Sequence, residues 1–198
     1  MTPTDDDSGN RAVRITVTGT VQGVGFRPFV NRLATAAKLA GSVANTPAGV
    51  VIEVWGISPA IEQLLRDLTG SPPPLAHIDS LTVASLDGPP PSNFHIDISR
   101  QDAAKTVLVT PDADVCQQCR TELLSPGDRR YLYPFINCTD CGPRYSLITD
   151  LPYDRARTAM ADFPMCPDCL NEYRDPESRR FHAEATCCPA CGPKLTLV

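Results

Sequence analysis

The chain has 198 residues, enough for roughly one or two compact domains with real cores. A net charge of −5 leaves no basic surplus to recruit nucleic acid, and no run of about 18 apolar residues is present to span a membrane. The start, MTPTDDDSGN, is acidic and lacks an apolar stretch, so residues 1–10 read as a disordered tail rather than a signal peptide, and the expected compartment is the reducing cytoplasm.

After the tail, RAVRITVTGT alternates and is β-branched, which predicts a strand. RPFVNRLATAAKLA carries Phe29, Leu33, Ala36, Ala37 and Ala40 at helical spacing, with Pro28 in its first turn and Gly41 placed to close it. SVANTPAGVVIEVWG predicts two strands around a Pro-Ala-Gly turn. SPAIEQLLRDLTG predicts a second helix, with Ser58 as N-cap and Pro59 behind it. HIDSLTVASL and NFHIDIS predict the last strands. The expected fold over 11–99 is α+β, a ferredoxin-like βαββαβ sandwich with its helices on one face of an antiparallel sheet. His77 and His95 fall in strands and are expected to pack or face solvent.

Between the first strand and helix lies VQGVGFRPFV. A glycine-rich turn into a helix leaves unpaired backbone N–H groups at the positive end of a helix dipole, which suits an anion. Arg27 adds a planar fork matched to phosphate. Gly-x-Gly alone also fits a tight turn beside a surface arginine. The stretch is not a Walker loop, since no Gly-Lys-Ser/Thr follows, and not a dinucleotide fingerprint, since position 28 is proline.

The remainder is organised by cysteine. None of the nine cysteines precedes Cys116, and a linker is expected at about 100–111. The spacing C-x2-C-x18-C-x2-C occurs at Cys116, Cys119, Cys138 and Cys141, and returns at Cys166, Cys169, Cys188 and Cys191. Such pairs are the pattern of a four-cysteine zinc site, here in two units of about 112–150 and 162–198. A shift of 50 residues superposes them: Glu122 on Glu172, Arg129 and Arg130 on Arg179 and Arg180, CGPR on CGPK. An internal duplication predicts that each unit closes its own site, with pairing across units as the alternative. The same register sets Cys187 on Asn137 and His182 on Leu132, so neither is a repeated ligand. A disulfide scaffold is unexpected without an export signal, and duplicated knuckles favour zinc over an iron–sulfur cluster. From Cys116 onward ten Lys/Arg face eleven Asp/Glu, a poor balance for nucleic acid, and the paired arginines are placed to offset the thiolates.

The stretches GTVQGVGFRPFV and GSVANTPAGVVIEVWG resemble the phosphate loop and the strand–turn–strand segment of acylphosphatases. That resemblance implies that Arg27 and the loop amides of Gln22, Gly23, Val24, Gly25 and Phe26 bind the phosphoryl group, and that Asn45 positions the attacking water. Read from its residues alone, Asn45 is a polar residue flanking a turn. With NCTDCGPRYSLITDLPYDRARTAM and FPMCPDCLNEYRDPESRRFHAEATCCPACGP added, residues 11–198 resemble the N-terminal part of the carbamoyltransferases of NiFe-hydrogenase maturation. The resemblance implies hydrolysis of carbamoyl phosphate (or another acyl phosphate), two zinc ions per chain, and carbamoyl transfer to a partner maturation protein for cyanide-ligand synthesis. ATP would act only in downstream domains. With no ATP motif before Val198, the chain reads as a fragment. The alternative is a silent acylphosphatase-like domain carrying a zinc-ribbon protein-interaction module.

Overall fold

A computed structural model describes residues 9–100 and 106–196. Most of the expected tail (1–8) and residues 101–105 of the expected linker lie outside the described residues. Among the described residues, no helix is long and apolar enough to cross a membrane.

Five strands form one sheet in the order β4-β1-β3-β2-β5. They are β1 (Asn10–Thr20), β2 (Ala40–Thr46), β3 (Gly49–Ile57), β4 (His77–Ser85) and β5 (Phe94–Ile96), with helices α1 (Phe26–Ala36) and α2 (Ser58–Gly70) between them. Strand alternation sends Val13, Ile15 and Val17 of β1 and Val50, Ile52 and Val54 of β3 into the core. Helical spacing answers with Phe26, Val30 and Ala34 of α1 and Ile61, Leu64 and Leu68 of α2. Each such fully buried side chain contributes about 1.5–3 kcal/mol, so this sheet-and-helix layer holds itself together by apolar burial.

The sheet is mixed rather than antiparallel throughout, because β5 pairs in parallel with β2. β4 runs antiparallel to β1 at one edge. Residues 86–93 then cross to the other edge, and the Trp55 indole N–H donates to Gly88 O at 3.0 Å to hold that crossing. The reversal during the crossing aligns β5 with β2, which no alternation pattern encodes.

Two helix ends also differ from expectation. Ser58 is inside α2, whose N-cap is Ile57, and its hydroxyl donates to Gly9 O at 3.4 Å. α1 stops four residues short of Gly41. Lys38 N–H donates to Thr35 O at 3.0 Å and Leu39 N–H to Ala34 O at 2.9 Å, a Schellman closure with Lys38 left-handed at φ 55°. Burial of Leu39 selects that ending. Gly41 serves the sheet instead: a Cβ there would lie 2.0 Å from Glu53 O.

The remainder carries two short helices, α3 (Gln117–Leu124) and α4 (Pro167–Arg174), and two 3₁₀ turns, Arg155–Arg157 and Ala159–Asp162. Its apolar clusters are small, one built on Cys119, Cys138 and Cys141 with Ile136 and the other on Tyr133, Met160, Ala185 and Cys187. The duplication is visible in the backbone. α3 and α4 are both N-capped by the first cysteine of their unit, Cys116 and Cys166. Leu132 and His182 are both left-handed, at φ 54° and 50°, and their N–H groups reach back to Leu123 O and Tyr173 O.

A left-handed lysine closing α1 carries a steric penalty that glycine does not, partly offset by the greater freedom of glycine in the unfolded chain. Lys38→Gly is expected to stabilise the first layer by up to about 1 kcal/mol, read as a higher urea midpoint with an unchanged slope.

Candidate functional site

β1 ends at Thr20 and α1 starts at Phe26, and the turn between them is left-handed at Gly23 (φ 72°) and Gly25 (φ 74°). Side chains at both positions would be strained there and would also crowd Arg144 and Thr139. Among the described residues, no backbone N–H from Gln22 to Gly25 donates to a backbone carbonyl. The carbonyls are occupied instead. Thr110 Oγ1 donates to Gln22 O at 2.6 Å, and Arg144 Nε donates to Gly23 O. Arg144 is itself fixed by four carbonyls of the first cysteine unit, those of Cys138, Thr139, Cys141 and Pro143. Drawing the carbonyls toward Arg144 and Thr110 leaves the amides as an open nest at the helix start.

The Gln22 side chain ties this loop to its surroundings. Its Nε2 donates to Thr46 O at 2.6 Å and Gly49 O at 2.8 Å, and its Oε1 accepts from Tyr153 N–H at 2.9 Å. Arg27, on the first turn of α1, and Asn45, on β2, are brought to the same point. Both donate to Tyr153 O, Arg27 Nη2 at 3.2 Å and Asn45 Nδ2 at 3.0 Å. Asn45 is buried and its Oδ1 has no partner in the structure. A buried acceptor left open beside a pocket lined by Gly23, Gly25, Arg27 and Asn45 can take a hydrogen bond from a bound water.

Residues outside the sequence-predicted site complete it. Arg27 Nη1 donates to Asp154 Oδ1 at 2.9 Å and Nη2 to Glu184 Oε1 at 2.7 Å, both from the cysteine-bearing part. Burial opposes the charge on Arg27, but Glu184 and Asp154 outweigh it and hold its pKa above the ordinary value. Burial pushes Glu184 up from the carboxylate range, against the pull of Arg27. His182 lies beside them, its ring 4.8 Å from Tyr173 and 4.7 Å from Phe181. Burial and the nearby Arg27 lower His182 to about 4, so it is neutral near pH 7. His77 and His95 are exposed.

The cysteines gather within units. Cys116, Cys119, Cys138 and Cys141 form one cluster and Cys166, Cys169, Cys188 and Cys191 the other, with ligand atoms within 4.8 Å of one another. Neighbouring sulfurs stand 3.6–3.8 Å apart. Four sulfurs at the zinc–thiolate bond length on a tetrahedron are separated by about 3.8 Å, so both clusters suit a zinc ion and neither is spaced for disulfides. Cys187 is buried outside the four, its thiol 3.5 Å from Tyr133 Oη, and burial raises its pKa.

The arginine pairs cross between units. Arg129 Nη2 lies 3.0 Å from Cys169 Sγ and 2.7 Å from Glu172 Oε2, while the buried Arg130 donates to Glu172 and to Cys187 O at 2.8 Å. Arg179 reciprocates with Cys119 Sγ and Glu122, and Arg180 with Glu122 and Asn137 O. Each thiolate cluster is therefore balanced by the other unit's arginines. Spacing shows the pairs but not which unit they serve.

Residues 13–96 match the Acylphosphatase family, and residues 115–148 and 165–198 each match the HypF finger. Carbamoyltransferase HypF2 of Cupriavidus necator is 51% identical over 157 residues, covering 77% of this chain and 19% of that protein. An acylphosphatase of Caldivirga maquilingensis is 44% identical over 78 residues, covering 38% of this chain and 81% of its own length. The crystal structure of full-length HypF in the phosphate- and nucleotide-bound form superposes with a TM-score of 0.92 at 48% identity, covering 95% of this chain and 25% of that one. The structure of HypF from T. kodakarensis gives a TM-score of 0.82 at 46% identity over 92% of this chain and 23% of that one. The chain thus spans about a fifth of the length of the curated HypF relatives it matches. Over residues 13–96 it belongs to the acylphosphatase family, and with its duplicated HypF finger it has the organisation of the N-terminal part of the HypF carbamoyltransferases.

Proposed function

We propose that this chain hydrolyses an acyl phosphate, carbamoyl phosphate in its biological setting. This would be the first step of carbamoyl transfer toward a cyanide ligand in NiFe-hydrogenase maturation. The observation that carries the reading is the convergence of an open amide nest (22–26), Arg27 and the partnerless Oδ1 of Asn45 on one pocket. The HypF relatives, which are carbamoyltransferases, support the carbamoyl group, and the phosphate-bound form of one of them supports the phosphate. No ATP-dependent step, and no contact with the partner protein that would accept the carbamoyl group, is assigned to these residues.

The chemistry asks little of acid catalysis, because phosphate is a good leaving group. The loop amides and the Arg27 fork take the phosphoryl oxygens and gain strength as charge builds on them. Asn45 Oδ1 accepts a hydrogen bond from a water and aims its lone pair at the substrate. The carbonyl of Tyr153 fixes Arg27 and Asn45 relative to each other. His182, neutral near pH 7, adds no positive charge. We assign two zinc ions to the two clusters, where they would supply folding energy to a part with little apolar core.

Asn45→Ala is expected to lower kcat for phosphate release by about a hundredfold with a smaller change in KM. Arg27→Ala should raise KM and lower kcat together, with partial rescue by Arg27→Lys, which keeps charge without the fork. It also strands Glu184 and Asp154, so it should destabilise by about 3–5 kcal/mol, and activity must be read per folded molecule. Wild-type rates in Arg27→Ala and Asn45→Ala would overturn this reading of the site, and an inactive wild-type chain would favour the silent-domain alternative. Metal analysis should return two zinc ions per chain, two after Cys187→Ser and one after Cys188→Ser. Chelation should open the finger part to protease while the sheet layer resists, and loss of the whole chain would show a single folding unit.

A further inference from the structure

The proposed chemistry uses Arg27 but assigns nothing to the carboxylate that grips it. The duplication provides an internal control for what that carboxylate is doing. Residues 132–136 (LYPFI) and 182–186 (HAEAT) occupy the same place in the two units and share the left-handed residue and the return hydrogen bond of its N–H. Their side chains diverge. Leu132 is 62% exposed and Pro134 faces solvent, whereas Glu184, in the place of Pro134, is 4% exposed against Arg27. The knuckle therefore forms without a carboxylate at this position. Burying one there costs free energy that the finger fold does not require.

Glu184 is held on every side. Its Oε1 accepts from Arg27 Nη2 at 2.7 Å, and its Oε2 accepts from Tyr173 Oη at 2.9 Å and from Arg155 N–H at 3.1 Å. Arg155 in turn donates to Glu184 O at 2.7 Å and Thr186 O at 2.9 Å, pinning the backbone that carries the carboxylate. The consequence for Arg27 is geometric. Of its five N–H bonds, one on Nη1 meets Asp154 and both on Nη2 meet Glu184 and Tyr153 O. The plane of the guanidinium is fixed, and Nε–H and the second Nη1–H remain for phosphoryl oxygens. An arginine free to rotate would meet the phosphoryl oxygens in several geometries, of which few suit the transition state.

We propose that Glu184, contributed by the second finger unit, is a positioning residue for Arg27, so that this unit is a working part of the phosphate site. The inference rests on the reading of Arg27 as the phosphate ligand. It assigns to the finger a task that zinc binding alone does not.

The test uses the full zinc-loaded chain. The Nε–Hε signal of Arg27 in nitrogen-15 NMR is identified by its loss in Arg27→Lys. A positioned guanidinium gives a discrete, slowly exchanging signal. In Glu184→Gln that signal should broaden or exchange at least about tenfold faster, with zinc content near wild type and a lowered thermal midpoint that still leaves the chain folded at the assay temperature. The rate of acyl phosphate hydrolysis should divide in a way a structural role would not produce. kcat is expected to fall about ten- to a hundredfold, while affinity for inorganic phosphate holds or tightens, since a competing negative charge has gone. Glu184→Asp keeps the charge but shortens the reach and should restore part of kcat. Tyr173→Phe loosens Glu184 without touching Arg27, should show the same pattern more weakly, and serves if Glu184→Gln does not fold. An unchanged Arg27 signal with unchanged kcat overturns the proposal. So does a loss of kcat that merely follows loss of zinc or of phosphate binding. Failure of the underlying site reading looks different: added phosphate would leave the Arg27 signal of the wild-type chain unmoved.

Discussion

A guanidinium withdrawn from water must be answered by negative charge, and in this chain the answer comes from more than a hundred residues away. Arg27 starts α1 in the sheet layer, and its carboxylate partners, Asp154 and Glu184, lie on either side of the 3₁₀ turns and α4. Removing either side would leave a buried charge unmatched, a penalty of about 3–5 kcal/mol, comparable with the whole stability of a small domain. The docking of the cysteine-bearing part on the loop, the aim of Arg144 at Gly23 O and the shared use of Tyr153 O by Arg27 and Asn45 all depend on that match.

The finger part meets its own electrostatic problem in a related way. Four thiolates around a divalent ion leave about two excess negative charges, and there is little apolar packing to hold such a centre. The arginines that offset this charge come from the neighbouring unit and are clamped there by Glu122 and Glu172. Those arginines raise no charge conflict of their own, because each pair meets a carboxylate and a thiolate at once. Glu172 is drawn down to about 2 by Arg130 and Arg129 despite its burial. The packing of one unit on the other is thus an exchange of cations.

Much of this was legible in the sequence. Alternation and helical spacing locate the elements of the sheet layer, and the cysteine spacing with its 50-residue shift pairs the thiols as the structure does. Other features depend on where elements meet, which local pattern does not carry. The parallel direction of β5 depends on the crossing over residues 86–93, and the stop of α1 on the burial of Leu39. Asp154 lies between the two units and Glu184 occurs in one copy only, so the duplication, which reports what the copies share, points to neither. The signal was in what they do not share: a glutamate in HAEAT where LYPFI has proline. The crossing of the arginines was half visible, as residues placed to offset thiolates without an address.

Reciprocal bracing also has a consequence for how such a pair of units can change. A lone unit would keep its four sulfurs but present two arginines and one glutamate to water, each shaped for a surface that is gone. Neither copy can be trimmed away to leave a tidy single knuckle, so the duplicate is locked in. Within 132–136 and 182–186, Tyr133, Phe135 and Ala185 still bond the other unit, but the third position, Pro134 in one copy and Glu184 in the other, is under no such lock. There one copy could be lent to new work while its twin went on supporting the pair, and only the copy lying over Arg27 had a neighbour worth addressing.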